Sequence, residues 1–294
     1  LSLRRQRQMC IRDRICIDSF KFEYLKYTKF LSSLTKKYQH GRLKFPLGFE
    51  GGIETFFKGN SSTLALFYYS TNSSLKWTRN LSWLGPLLNI PINLKRLVRG
   101  EEVFLIRNIP YKKLWMFEFA ISSFRIPKEI KYIYIGILDK VAHKYGTKSE
   151  KTIKCIKKID KKLSRIKFDL VFSDHGMIDI KETIQVPETE KCFIDSTMAR
   201  YWENESKLNE IKKKLPLYKG KIIRWKNKKF GKLIFLANPG VLILPNYWQG
   251  NKICKAMHGY SPSCKDMDGF YILKREGRRK DLKIKELRKD LDNL

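Results

Sequence analysis

Val171-Phe172-Ser173-Asp174-His175-Gly176-Met177 is the stretch on which the reading of this chain turns. Asp169-Leu170 lead into it, and the apolar pair Val171-Phe172 predicts the end of a buried strand. A carboxylate and an imidazole then follow side by side, with a glycine behind them. In open α/β sheets ligands bind at the carboxyl ends of strands. Asp offers a hard oxygen and His a borderline nitrogen, a pairing suited to zinc. Alone, Asp-His-Gly reads equally well as a loop in which Asp174 caps the next turn. Recurrence of the same pattern elsewhere separates the two readings.

Working outward, Lys131 to Leu138 (KYIYIGIL) predicts a β-branched and aromatic strand that runs directly into Asp139. His143 lies four residues beyond Asp139, so one helical turn places both on one face. Ile15-Cys16-Ile17 is a short buried strand with Asp18 at its tip. His258-Gly259-Tyr260 follows the apolar run between Leu233 and Leu244. The chain has four histidines, and three stand in these settings. Asp18, Asp139, His143, Asp174, His175 and His258 together could hold two adjacent metal ions with three protein ligands each, the open coordination of a catalytic site.

The bulk composition agrees with a folded enzyme-sized domain. A chain of 294 residues with 43% hydrophobic and 13% aromatic residues can bury a sizeable core. The formal charge of +32 is large, but its lysines run through the whole length. Nucleic-acid binders concentrate charge in a stripe or tail, so the charge reads as a lysine-rich solvated surface and argues against a nucleic-acid partner. The six cysteines form no C-x-x-C pair. Several sit in apolar runs, which suggests a reducing, cytoplasmic setting. No apolar run is long enough for a membrane span.

Leu1 to Arg14 (LSLRRQRQMCIRDR) lacks an initiating methionine and resembles translated adapter read-through, so it is set aside as a non-native leader. The domain is expected over residues 15–273, with a helix over Phe20 to Gln39 ended at His40-Gly41. A strand and glycine turn follow in Lys44 to Gly52, then a further strand in Leu64 to Tyr69. Residues 71–128, rich in Trp, Pro and Asn, read as an irregular cap insertion. An amphipathic helix is expected over Lys148 to Ile166, and strands near Lys191 to Ile194, Lys221 to Trp225, Lys232 to Ala237 and Val241 to Pro245. A helix near Asn204 to Lys214 and a hairpin-like His258 to Leu273 complete the domain. Residues 274–294 read as a basic tail forming a solvated helix. Tyr132 and Tyr134 read as core residues of their strand, and Asp266 and Asp268 as turn residues. Strands alternating with helices imply an α/β sandwich.

SDHGM, LDKVAHKYG, FIDSTMARYW and MHGYSPSCKDMDGFYIL resemble the type I phosphodiesterase/nucleotide pyrophosphatase branch of the alkaline phosphatase superfamily. The resemblance covers most of Ile15 to Leu273, strongest from Lys131 onward. It implies a three-layer α/β/α sandwich and two divalent ions, zinc or sometimes manganese. It also implies hydrolysis of a small phosphoester or nucleotide-like substrate. Asp18, Asp174 and His175 match one of the family's metal sites; Asp139, His143 and His258 match the other.

The family's nucleophile is a Thr or Ser, and its position here falls on Glu50, in Gly48-Phe49-Glu50-Gly51. The Thr-Gly that closes the following helix in the family is Lys58-Gly59. Three readings follow: water attacks phosphorus directly with Glu50 as base or ligand, Glu50 itself attacks, or the fold binds metal and phosphate without efficient turnover. Thr55 is nearby, but inside the expected helix. Arg200 could clamp a phosphate bidentately, or serve as a structural ion-pair partner. No cysteine stands in a sulfatase-like C-x-P-x-R context.

Overall fold

The computed structural model describes residues 13–47, 131–224, 231–246 and 248–292, with the backbone of three further strands, Phe67–Tyr69, Leu105–Tyr111 and Leu114–Ala120. Glu50, Thr55, Lys58-Gly59 and most of the expected cap lie outside the described residues. The chain divides into two units: Leu1–Ser62, Ile126–Ile180 and Cys254–Leu294 form the first, Thr63–Arg125 and Lys181–Ile253 the second.

The first unit is built on a six-stranded mixed sheet. Its strands are β1 (Asp13–Ile17), β2 (Tyr38–Lys44), β3 (Lys131–Ile135), β4 (Leu170–Phe172), β5 (Gly269–Glu276) and β6 (Leu282–Lys283), in the order β6-β2-β5-β4-β1-β3. β1 pairs in parallel with both β3 and β4, while β5 runs antiparallel between β4 and β2. The three parallel strands therefore end at one edge, where Asp18, Asp139 and Asp174 follow.

β1, β4 and most of β5 are buried on both faces, as central strands covered on either side are. Ile15, Ile17, Val171, Phe270 and Ile272 join one core cluster with Leu31, Leu138, Ile156, Ile159 and Leu163. Each such side chain contributes about 1.5–3 kcal/mol by leaving water. The helices are α1 (Phe30–Leu34), α2 (Ile137–Tyr145), α3 (Glu150–Leu163) and α4 (Ile284–Asp292). Ser149 caps α3 by accepting from the Thr152 amide at 3.2 Å, as the amphipathic pattern requires of a helix starting there. Asp160, on the buried side of α3, accepts from the amides of Lys29, Phe30 and Leu31 at 2.8, 3.0 and 2.9 Å. One carboxylate thus caps α1 from a neighbouring helix.

Several segments differ from expectation. β1 starts at Asp13, so Asp13 and Arg14 of the segment set aside belong to it, and Arg14 is buried. The helix expected over Phe20 to Gln39 is a 3-10 turn (Phe22–Tyr27) followed by the short α1, and His40 lies within β2. Phe20 to Gln39 carries no intact apolar stripe after Leu34, and Tyr38-Gln39-His40 alternates instead. Residues 258–273 do not form a hairpin: β5 pairs with β2 and β4, strands distant in sequence. The basic tail is also more than a solvated helix. Leu282 on β6 and Ile284, Leu287 and Leu291 on α4 are all buried, the helical three an i, i+3, i+7 stripe that the surrounding lysines mask.

The second unit carries an antiparallel sheet in the order Cys192–Ile194, Met198–Tyr201, Leu233–Ala237, Gly220–Ile223, with a helix Glu205–Lys214 capped by Asn204. Val241–Ile243 pairs in parallel with Glu182–Ile184, and Leu114–Ala120 lies antiparallel between Phe67–Tyr69 and Leu105–Tyr111. No helix among the described residues is long and apolar enough to cross a membrane.

Candidate metal centre

β1 ends one residue before Asp18, and the Asp18 amide donates to Ile135 O at 3.1 Å, so the tips of β1 and β3 stay joined. Gly136 is the bend between β3 and α2; a side chain there would meet the Tyr134 ring at 3.0 Å. α2 then carries Asp139 and His143 on one face, and His143 Nε2 lies 3.2 Å from Asp139 Oδ1. His143 Nδ1 faces Ala256 O at 2.7 Å, which makes Nδ1 a hydrogen-bond donor and turns Nε2 toward Asp139.

β4 delivers Asp174 and His175. Ser173 ties that turn to β1: its Oγ accepts from the Phe20 amide at 2.9 Å and donates to His175 O at 2.8 Å. His175 Nε2 stands 3.3 Å from Asp18 Oδ1 and 3.9 Å from Asp174 Oδ1. Two-residue strands, Ile178–Asp179 and Ala256–Met257, pair antiparallel and bring His258 back to the same edge. Its ring stacks on His175 at 4.0 Å between centroids, and its Nε2 is 3.9 Å from Asp139 Oδ1. Ala142, Met177 and Ala256 form a small apolar cluster that fixes these segments together.

All six residues expected from sequence therefore converge. Asp18, Asp174 and His175 offer ligand atoms within 4.8 Å of one another, and so do Asp139, His175 and His258. Electrostatics fit a cation. Burial, then the neighbouring Asp174 carboxylate, pushes the Asp18 carboxyl up to about 8. Burial opposes charge on Asp139 too, but the hydrogen bond from His143 and the other imidazoles hold it well below the usual carboxylate range. For His143, burial is outweighed by Asp139, so the imidazole is raised to about 10. His258 is pushed well below its ordinary value by burial and by His175. Carboxylates facing one another, Asp18 buried and Asp139 and Asp174 half-buried, with imidazoles turned by second partners, are a donor set that could hold a divalent cation.

Sequence reasoning missed two residues here. Ser19, fully buried, has φ 60° and touches Asp18, Asp139, Asp174 and His175. Its signal was only its place, one residue past a strand-end acid. Tyr134, read as core, is 50% exposed, and its hydroxyl donates to Asp18 Oδ2. It sits on β3, an edge strand of the sheet. Asp266 and Asp268 take part in ion pairs with Lys21 and Arg42. Arg200 lies inside the second unit, 2% exposed, its guanidinium 5.2 Å from the Phe193 ring and 5.8 Å from the Trp202 ring. Asp195 attracts it, yet burial still lowers Arg200 to about 10 and raises Asp195 to about 6. That setting favours the structural ion pair.

No protein-family model matches the chain, and a sequence search of curated proteins finds no match either. The fold does match solved structures. Murine ectonucleotide pyrophosphatase/phosphodiesterase 5, as an inactive variant in complex with AMP, superposes with a TM-score of 0.66 at 17% identity, covering 96% of this chain and 95% of that one. The same murine protein without that description gives 0.66 at 16% identity, covering 95% and 93%. Human ectonucleotide pyrophosphatase/phosphodiesterase 5 gives 0.65 at 16% identity, again covering 95% and 93%. The chain has the alkaline-phosphatase-like α/β fold of these proteins.

Proposed function

We propose that this chain is a divalent-metal-dependent phosphoester hydrolase acting on a small, nucleotide-like substrate. The observation that carries the reading is the convergence of three carboxylates and three imidazoles at one sheet edge. Asp18, Asp174 and His175 would hold one ion. One imidazole nitrogen serves one ion, so His143, already 3.2 Å from Asp139, would complete the second set with Asp139 and His258. Mixed nitrogen and oxygen donors favour zinc, with manganese as the alternative. Bound there, such ions would lower the pKa of water and neutralise charge on phosphoryl oxygens. The chain's own residues hold and aim the ligands: Ala256 O orients His143, Ser173 fixes the Asp174-His175 turn, and Tyr134 bonds Asp18. Glu50 is proposed as the base or attacking carboxylate, on its place in the sequence. The AMP bound by the murine protein supports a nucleotide-like substrate.

The test is metal analysis of the purified chain coupled to turnover of nitrophenyl phosphate and bis(nitrophenyl) phosphate. Bound zinc, with turnover lost to a chelator and restored by zinc, is expected. Metal without turnover would favour the second reading, a binding member of the fold, which Glu50 and Lys58-Gly59 in the nucleophile segment motivate. Absence of metal would sink both.

A further inference from the structure

We propose that Ser19 is the positioning residue of this metal centre, its hydroxyl coupling Asp139 to His175 while its amide holds Asp174. The inference rests on the metal-centre reading above. Ser19 is the one non-glycine residue with positive φ among the described residues. Glycine adopts that conformation at no steric cost, so what serine adds at φ 60° is a hydroxyl. That hydroxyl is fully buried and reaches three ligands. Oγ lies 2.7 Å from Asp139 Oδ1, 3.2 Å from His175 Nδ1 and 3.4 Å from Asp18 Oδ1.

A hydroxyl has one proton, and the shortest contact assigns it to Asp139. The oxygen then accepts from His175 Nδ1–H, which also faces Gly176 O at 2.9 Å. Both contacts keep the proton on Nδ1 and present Nε2, the nitrogen 3.3 Å from Asp18 Oδ1, as the ligating atom. The Ser19 amide donates to Asp174 Oδ1 at 3.3 Å. Asp139 belongs to one proposed donor set and Asp174 and His175 to the other. A single residue therefore sets their spacing. Without the hydroxyl, Asp139 keeps only its imidazole neighbours and the His175 ring keeps only Gly176 O, so the link between the two is lost.

The test compares the full chain with Ser19→Gly and Ser19→Ala, by zinc titration calorimetry and by the visible spectrum of the cobalt(II)-loaded protein. Ser19→Gly removes the hydroxyl while relaxing the backbone, so its metal-free fold should be as heat-stable as the parent. Ser19→Ala keeps the backbone conflict and serves as the second variant. Both are expected to bind zinc 10–100-fold more weakly, the usual effect of removing a partner of a metal ligand, with an altered cobalt spectrum. Zinc affinity within twofold of the parent and an unchanged spectrum in both variants would overturn the role of Ser19 and leave the metal centre standing. A parent chain that binds no zinc would overturn the metal centre, and this inference with it.

Discussion

Gly176 follows the Asp174-His175 pair because nothing larger fits, and replacing it with alanine tests how the site is braced. A Cβ there would stand 2.0 Å from Asp266 O and 2.9 Å from the carbonyl carbons of Asp266 and Met267. The obstacle is backbone, so no rotamer change relieves it. The Gly176 amide also donates to Met267 O at 2.8 Å, pinning the two segments together. Restoring even a 3.0 Å contact opens this junction by about 1 Å. Overpacking of this kind costs about 1–3 kcal/mol, and stretching the hydrogen bond adds about 1 kcal/mol. Gly176→Ala should therefore lose about 2–4 kcal/mol, or roughly 5–15 °C in thermal midpoint for a unit of this size. His175 adjoins the displaced atom, so the proposed phosphoester turnover should fall by about 100-fold, the usual result of an ångström's misplacement. Gly250→Ala is the control: its Cβ meets nothing within 4 Å, and only its φ of 59° resists, for about 1 kcal/mol. Scanning calorimetry and turnover read both effects. If Gly176→Ala unfolds within 1 °C of the parent and keeps its rate, the packing account of the Asp-His-Gly turn is wrong.

Other outcomes follow from the same geometry. Asp160→Ala strips three amides of their acceptor, one of them on buried Leu31, and should cost about 2–3 kcal/mol in urea unfolding; a loss below 0.5 kcal/mol would mean that α1 caps itself. Because His175 faces Asp18 and Asp174 and stacks on His258, His175→Ala should disturb both proposed ions, whereas His143→Ala should weaken one; equilibrium dialysis with zinc separates the two patterns. Asp195 carries a carboxyl raised to about 6 by burial. The stability this group confers is present below its ordinary pKa and is lost as pH rises through 6, by about 3 kcal/mol. An Asp195→Asn/Arg200→Met double variant should lack that loss, so equal urea midpoint shifts for parent and variant between pH 4.5 and 7 would refute it. Finally, turnover should vanish in Glu50→Ala and survive in Thr55→Ala; the reverse result would move the attacking group to the threonine.

The sequence made the candidate ligands legible because the acids Asp18, Asp139 and Asp174 each follow an apolar run whose end is easy to place. β1, β3 and β4 stop at Ile17, Ile135 and Phe172, and their parallel pairing carries the acids to one edge. The α3 stripe of Ile156, Ile159 and Leu163 was equally plain. What escaped depends on contacts distant in sequence. Nothing local to Ser19 announces a left-handed backbone, which holds because Asp139 and Asp174 take up its hydroxyl and amide. The Met198–Tyr201 strand was hidden because all four of its residues are buried, so alternation is absent. The burial of the C-terminal helix was obscured by lysines around a sparse apolar stripe.

Strand order has a further consequence for how the polypeptide reaches this state. β5, residues 269–276, is wedged between β2 and β4, segments synthesised long before it. Until it emerges from the ribosome, both neighbours expose unsatisfied backbone along one side, a template for pairing with foreign chains. Closure of the sheet is therefore among the last steps, with contacts of wide sequence separation and a slow search. A nascent polypeptide stalled before residue 269 would present paired ligand turns on a half-built scaffold, and chaperone capture or aggregation should peak at that length.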